Sequence, residues 1–330
     1  MTIKHTVQFL LLFSMLFFLF QCKSLEDFKW EQVESYNLPS ARHECGFVEA
    51  NGLFYLIGGR GLKPVDIYNI KTEKWTQGTK PPIEIHHFQA VNYNNNIYVI
   101  AAMTGKYPHE TPLDKILIYK PIEDLWIWGD TIPESRRRGS AGIVIKDDVA
   151  YIFCGITDGH WEGHVSWADK YNFKTGKWTV LTNAPRARDH FQAAIHNNNI
   201  YCASGRNSSA KTNETFNLTI PEIDVYYIEK DEWVTLSEAS NIPTQRAGAS
   251  SIINGGNLII LGGESASQKT AHNDVEIMDI KSGSWKVAPK LITGRHGTQA
   301  ILYENTIYTA AGSGNRGGKP ELATLEACLR

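Results

Sequence analysis

The chain has 330 residues, a formal net charge of −2, 42% hydrophobic and 11% aromatic content. That length allows one large all-β domain or two average ones, and the near-neutral charge excludes global attraction to nucleic acid. Nine Trp and fourteen Tyr favour the pleated surfaces of β-sheets.

In chain order, the N-terminus reads as a segment outside the fold. Met1–His5 is weakly basic, Val7–Phe20 is almost wholly apolar, and Gln21-Cys22-Lys23-Ser24 comes next. Such a run is short for a spanning helix and suits the apolar part of an export signal. Leu19-Phe20-Gln21-Cys22 resembles a bacterial lipoprotein signal, in which the Cys becomes the lipidated first residue. Phe20 and Gln21 depart from the small residues usual there, so ordinary cleavage near Cys22 and an uncleaved anchor stay open. The expectation is a signal peptide over 1–22 with Cys22 lipidated, a linker over 23–27, and an exported domain over 28–330 tethered at the cell envelope. Four further cysteines, Cys45, Cys154, Cys202 and Cys328, have no CxxC spacing and form no disulfide framework.

From there the chain repeats. Trp30, Trp75, Trp126, Trp178, Trp233 and Trp285 recur at intervals of 45 to 55 residues. Seven positions before the last five stand Tyr68, Tyr119, Tyr171, Tyr226 and Met278. Upstream lie "FYLIGG", "IYVIAA", "VAYIFCG", "IYCASG", "LIILGG" and "IYTAAG". Each unit reads as four strands: A after an Arg, as in "RDHFQAA"; B on the segment ending in small residues; C on the Tyr; D on the Trp. Asn, Asp and Gly turns separate them. Periods near 50 built this way signal a propeller.

This pattern resembles the kelch repeat: a glycine pair after strand B, a Tyr in strand C and a Trp at strand D, over residues 28 to 330. The resemblance implies an all-β, six-bladed kelch-type β-propeller. The sixth unit has A from Arg295, B over Thr306–Ala311 and C over Leu322–Leu329, and lacks D. Trp30 opens an orphan D, so the N-terminal strand is expected to close the ring.

Thirteen positions before each strand B Tyr stand Arg42, Ile85, Arg138, Arg188, Arg246 and Arg295 (Ile259 replacing Tyr in the fifth unit). Five of the six are Arg, one per blade, at equivalent positions at the channel mouth. They can bind an anion there, or serve structure by bonding loop carbonyls or stacking on aromatics. His43, His86, His87, His190 and His296 start strand A; His109, His160, His164 and His272 fall in B–C loops. These map to the same face, which suits an anionic ligand. The long loop "GITDGHWEGHVSW" adds Trp161 for stacking on a sugar ring, and "GRNSSAKTNETFNLTIPE" adds Arg206. The candidate ligand-binding residues are therefore Arg42, His43, His87, Arg138, Arg188, Arg246, Arg295, His296, Trp161 and Arg206.

Three functional readings stay open. The first is a binding module or scaffold, monomeric, taking an acidic sugar, a glycan or a protein partner at the mouth. The second is an enzyme on acidic sugars, since exported six-bladed kelch proteins include the sialic acid mutarotases. Mutarotation or β-elimination from uronates wants an Arg on the carboxylate and a proton carrier, for which His190, Glu162 and Tyr107 are the candidates. The third is a copper enzyme resembling galactose oxidase, with Cys45 or Cys154 near the right face. His160 and His164 with His190 have some zinc character, but structural zinc sites usually announce themselves with Cys, so neither metal nor cofactor is expected.

Overall fold

The computed structural model describes residues 29–329. The expected signal over 1–22 with its Cys22, and the expected linker over 23–27, lie outside the described residues. The rest forms six four-stranded antiparallel sheets, each a blade, with the innermost strands packed around one axis. Strands A to D are Cys45–Ala50, Leu53–Gly58, Val65–Asn69 and Lys74–Gly78 in blade one. Blades two to five succeed it in chain order, with A strands Val91–Tyr93, Gly142–Lys146, Gln192–His196 and Ser250–Asn254.

Blade six closes the ring. Ala300–Tyr303, Thr306–Ala310 and Leu325–Leu329 supply A, B and C, and Lys29–Gln32 supplies D, with Trp30 opposite Cys328. Strand C begins three residues later than the sequence suggests. The Leu322 N–H instead donates to the Gly312 carbonyl, and its carbonyl accepts from the Arg42 N–H.

Position four after each ladder residue alternates around the axis. Blades two, four and six carry Gln89, Gln192 and Gln299; blades one, three and five carry Gly46, Gly142 and Ser250. The A strands are inner edges whose outward N–H groups have no neighbouring strand. Gln299 Oε1 accepts from the N–H groups of Phe47 and Ala90, and Gln192 Oε1 accepts from Ser251 N–H. The small partners leave room: a Cβ on Gly46 would stand 2.6 Å from Ala90 Cβ and 3.1 Å from Gln299 Oε1.

The first of the two small residues closing strand B is left-handed in every blade. Gly58 and Gly262 have φ near 67°, and Ala101, Cys154, Ser204 and Ala311 lie between 52° and 68°. The repeat's first glycine is therefore a backbone position, kept in conformation where the residue has changed.

Candidate functional site

The ladder is in register, but it does not line the mouth. Arg42, Arg138, Arg188, Arg246 and Arg295 are buried, and their guanidinium groups turn outward into their own blades. Each donates to the carbonyl sixteen residues on, at Gly58, Cys154, Ser204, Gly262 or Ala311. Each also pairs with a strand C carboxylate: Asp66, Asp169, Asp224, Glu276 or Glu326. The reading that put these five arginines at a ligand is corrected by this geometry. Their donors satisfy strand-end carbonyls inside the sheet, the structural role the sequence left open.

The mouth is built instead by residues just C-terminal to the ladder. Those two positions on, Glu44, His87, Ser140, His190, Gly248 and Gly297, all have φ between 50° and 65° and ring the channel floor. Above them opens a basin of about 1170 Å³, reached by the B–C loops. Arg60, Tyr107, His160, Arg206, Phe216, Glu264 and Arg316 line it, with His43 and His296 at its foot.

Charge in the basin is paired rather than simply positive. Arg60 donates to Glu110 at 2.5 Å, and Arg206 donates to Glu264 at 2.7 Å. His43 Nδ1 meets one oxygen of Glu321 at 2.8 Å, and Lys63 meets the other at 2.7 Å. His296 Nε2 donates to the carbonyls of Asn315 and Gly317, at 2.9 and 2.7 Å. Burial works against the Glu44 carboxylate, yet His190, His43, His296 and Arg60 outweigh it and hold its pKa down to about 2. Burial likewise opposes Glu110, but His160 and Arg60 hold it well below the carboxylate range.

The residues named for catalysis are not brought together. His190 is buried in the floor, its Nδ1 2.7 Å from Asp189. Tyr107 is 54% exposed on the basin rim, its ring 5.1 Å from that of His160. Glu162 is exposed on the hairpin Ile156–Asp158/Glu162–His164 and pairs with Lys211. The half-buried Trp161 packs on the His109 ring at 4.8 Å, so it flanks the basin without lining it. His272 stays inside its own loop, bonded to Ser265 and Asp274. Cys45 and Cys154 are buried and free, their thiols pushed up to about 11 by burial. Their sulfurs donate to Gly297 and Arg186 carbonyls, an environment unlike the Tyr-linked Cys of a copper oxidase.

The sequence reading missed Glu44, Asp189 and Glu110. The first two were within reach, because they occupy the ladder-plus-two and ladder-plus-one positions beside histidines already singled out. Glu110 carries no register signal; only the fold of its loop brings it to His160.

Comparison with known proteins agrees with this architecture. The KLHDC2/KLHL20/DRC7 Kelch-repeats domain matches residues 124–312. Kelch-like protein terF of Aspergillus terreus is 26% identical over 258 residues, covering 75% of this chain and 54% of that protein. Kelch-like protein 40 of Xenopus laevis is 27% identical over 203 residues, covering 59% of this chain and 31% of that protein. The chain thus spans about half or less of the length of these curated relatives. A solved structure titled "Structure of YjhT" superposes with a TM-score of 0.72 at 13% identity, covering 89% of this chain and 95% of that one, a likeness of fold. Six blades in register, the strand-end small residues, the strand C Tyr and strand D Trp, and the matched domain together place this chain in the kelch-repeat family.

Proposed function

We propose that this kelch propeller is a binding module whose basin holds one polar ligand carrying an anionic group. The observation that carries this is Phe216, half-buried in the basin wall with the guanidinium of Arg316 at 5.5 Å and that of Arg206 at 5.9 Å from its ring. An aromatic face under two guanidinium groups offers stacking and charge together, the pairing that suits an acidic sugar or a carboxylate-bearing segment of a protein. A basin of about 1170 Å³ exceeds what a single small molecule fills, which supports an oligosaccharide or a protein loop as occupant.

Thermal-shift titration tests this, using sialic acid, galacturonate and glucuronate oligomers, and acidic peptides, with neutral sugars as controls. An anionic ligand should raise Tm by mass action, and Phe216→Ala and Arg316→Ala should each abolish the shift. No shift from any acidic ligand would overturn the reading.

A second reading is favoured by one observation: the buried His190–Asp189 pair presents an Nε2 with no hydrogen-bond partner to the channel floor. Such a pair can move a proton, as sialic acid mutarotase-like or uronate lyase-like chemistry requires. NMR of the same acidic sugars in the presence of the protein checks for anomer exchange or elimination. The proposed setting is export with a lipid anchor at Cys22, resting on the apolar run Val7–Phe20. Mass spectrometry of the N-terminal peptide from membranes checks it.

A further inference from the structure

Beneath the basin three imidazoles from three different blades converge. His87 and His190 sit on the rigid floor ring, and His160 reaches them from the tip of its B–C hairpin. The ring centroids lie 4.8 Å apart for His87 and His160, 4.9 Å for His87 and His190, and 4.9 Å for His160 and His190. One nitrogen from each lies within 4.8 Å of the others.

Hydrogen bonds behind the rings fix which nitrogen faces inward. His86 Nε2 is 3.0 Å from the Gly105 carbonyl and must donate to it. With its one proton on Nε2, a neutral His86 ring presents Nδ1 as an acceptor. His87 Nδ1 lies 2.6 Å from that acceptor and therefore carries the proton. His160 Nδ1 faces the two Glu110 oxygens at 3.0 and 3.2 Å, and His190 Nδ1 faces Asp189 at 2.7 Å. Each of these also donates from Nδ1. Nε2 is then the nitrogen that each ring, when neutral, leaves free. The Nε2 atoms of His87 and His190 are buried with no hydrogen-bond partner.

Clustered, buried imidazole nitrogens without a partner are a costly arrangement unless a cation, a proton or a metal ion, lies among them. A neutral imidazole whose far N–H is held by a carboxylate is also the usual second shell of a metal-bound histidine, fixing tautomer and raising basicity. Glu44 Oε2, 3.2 Å from His87 Nε2, adds negative charge beside the three nitrogens.

We propose that His87, His160 and His190 bind a divalent transition-metal cation of the zinc class through their Nε2 atoms, with Glu44 beside the fourth position. Imidazole ligands without thiolate favour zinc and its neighbours over calcium and magnesium. Zinc–nitrogen bonds of about 2.0–2.1 Å require the nitrogens to draw inward, a motion available to the loop-borne His160. The histidine set differs from the one suggested by spacing. His164 instead turns toward Asp189, 3.5 Å away, and His87 takes its place.

The site stands on its own geometry, whatever ligand the basin takes. The full chain is stripped with chelator, then titrated with Zn²⁺ by calorimetry and with Co²⁺ by visible absorption. One equivalent should bind, and Co²⁺ should show the ligand-field band of a low-coordinate nitrogen site. His160→Gln changes a loop and spares the floor ring; it should weaken Zn²⁺ at least ~100-fold, and the Tm gained on adding Zn²⁺ should vanish whatever the metal-free Tm. Asp189→Asn removes a positioning carboxylate and should weaken binding about 10–100-fold. His196→Gln, on the far end of strand A, should leave it unchanged. Failure of both metals to bind stoichiometrically overturns the site, as does undiminished binding by His160→Gln and His87→Gln.

Discussion

Ile85 and Leu117 occupy in blade two the positions where the other five blades hold a buried arginine and its carboxylate. Both are fully buried in one apolar cluster. The carboxylates Asp66, Asp169, Asp224, Glu276 and Glu326 each stand two residues before the strand C position of Tyr68, Tyr171, Tyr226, Met278 or Cys328, as Leu117 stands before Tyr119. One fold thus accepts either an ion pair or two aliphatic side chains at this seam, but the two positions change together.

That covariation within one molecule predicts a non-additive mutant cycle. Arg246 is fully buried and donates to Glu276 at 2.6 Å. Removing one partner leaves an uncompensated buried charge, whereas replacing both with apolar groups is often near neutral. Arg246→Ile or Glu276→Leu alone should lower the unfolding free energy by about 3–5 kcal/mol, and the double variant should regain most of it. Urea denaturation of the four proteins measures the cycle; simple additivity would refute it.

Gln89 should act as a clamp between blades. Its Oε1 accepts from Ile143 N–H at 2.7 Å and from Ala193 N–H at 2.9 Å, and its Nε2 donates to the Ala193 carbonyl at 3.0 Å. Gln89→Leu leaves these buried groups unpaired, at a cost of about 2–4 kcal/mol. Amide exchange should accelerate first at Ile143 and Ala193, and unchanged exchange there would remove the clamp.

Acid should destabilise the metal-free protein in two stages. His86 is held down to about 4 by burial and then by Arg60, so the unfolded chain takes up its proton more readily than the folded one. The stability this contributes is present above the unfolded histidine pKa near 6.5 and is lost as pH falls through 4. Glu44 is held down to about 2; its contribution is present above the unfolded carboxylate pKa near 4.3 and is lost as pH falls toward 2. Melting temperature in chelator should fall between pH 6.5 and 4 and again below 4.5. His86→Gln should flatten the first limb and Glu44→Gln the second. A flat profile from pH 7 to 4 would refute the depressed His86.

The closing strand should matter beyond its length. Trp30 is 6% exposed and packs among Ile252, Ile307, Leu291 and Cys328. Trp30→Ala should cost about 3–5 kcal/mol. Deleting residues through Gln32 would bare the Leu325–Leu329 edge, a template for pairing between molecules. Light scattering should then detect larger species than the full chain gives. A monomeric deletion variant of unchanged stability would mean the clasp is dispensable.

Much of this architecture was legible in the sequence because it recurs. A Trp every 45 to 55 residues, small residues after strand B and an Arg in register with a Tyr reflect one local geometry used six times. The orphan Trp30 strand revealed the closure, since an open sheet edge needs a partner. The carboxylate before each strand C Tyr and the Gln/small alternation at Gln89, Gln192 and Gln299 are equally periodic and could be read from the same register. Direction is another matter. Periodicity places Arg188 near the mouth but cannot say that its guanidinium turns into the blade, because that depends on Asp224, 36 residues away. Nor can it join His160 to His87 and His190: those two share the ladder-plus-two register, but His160 lies on a B–C loop outside the repeat. The strand ladder is set by local backbone chemistry repeated along the chain. The site depends on side chains from different blades meeting across an axis, and only closure of the ring brings them together.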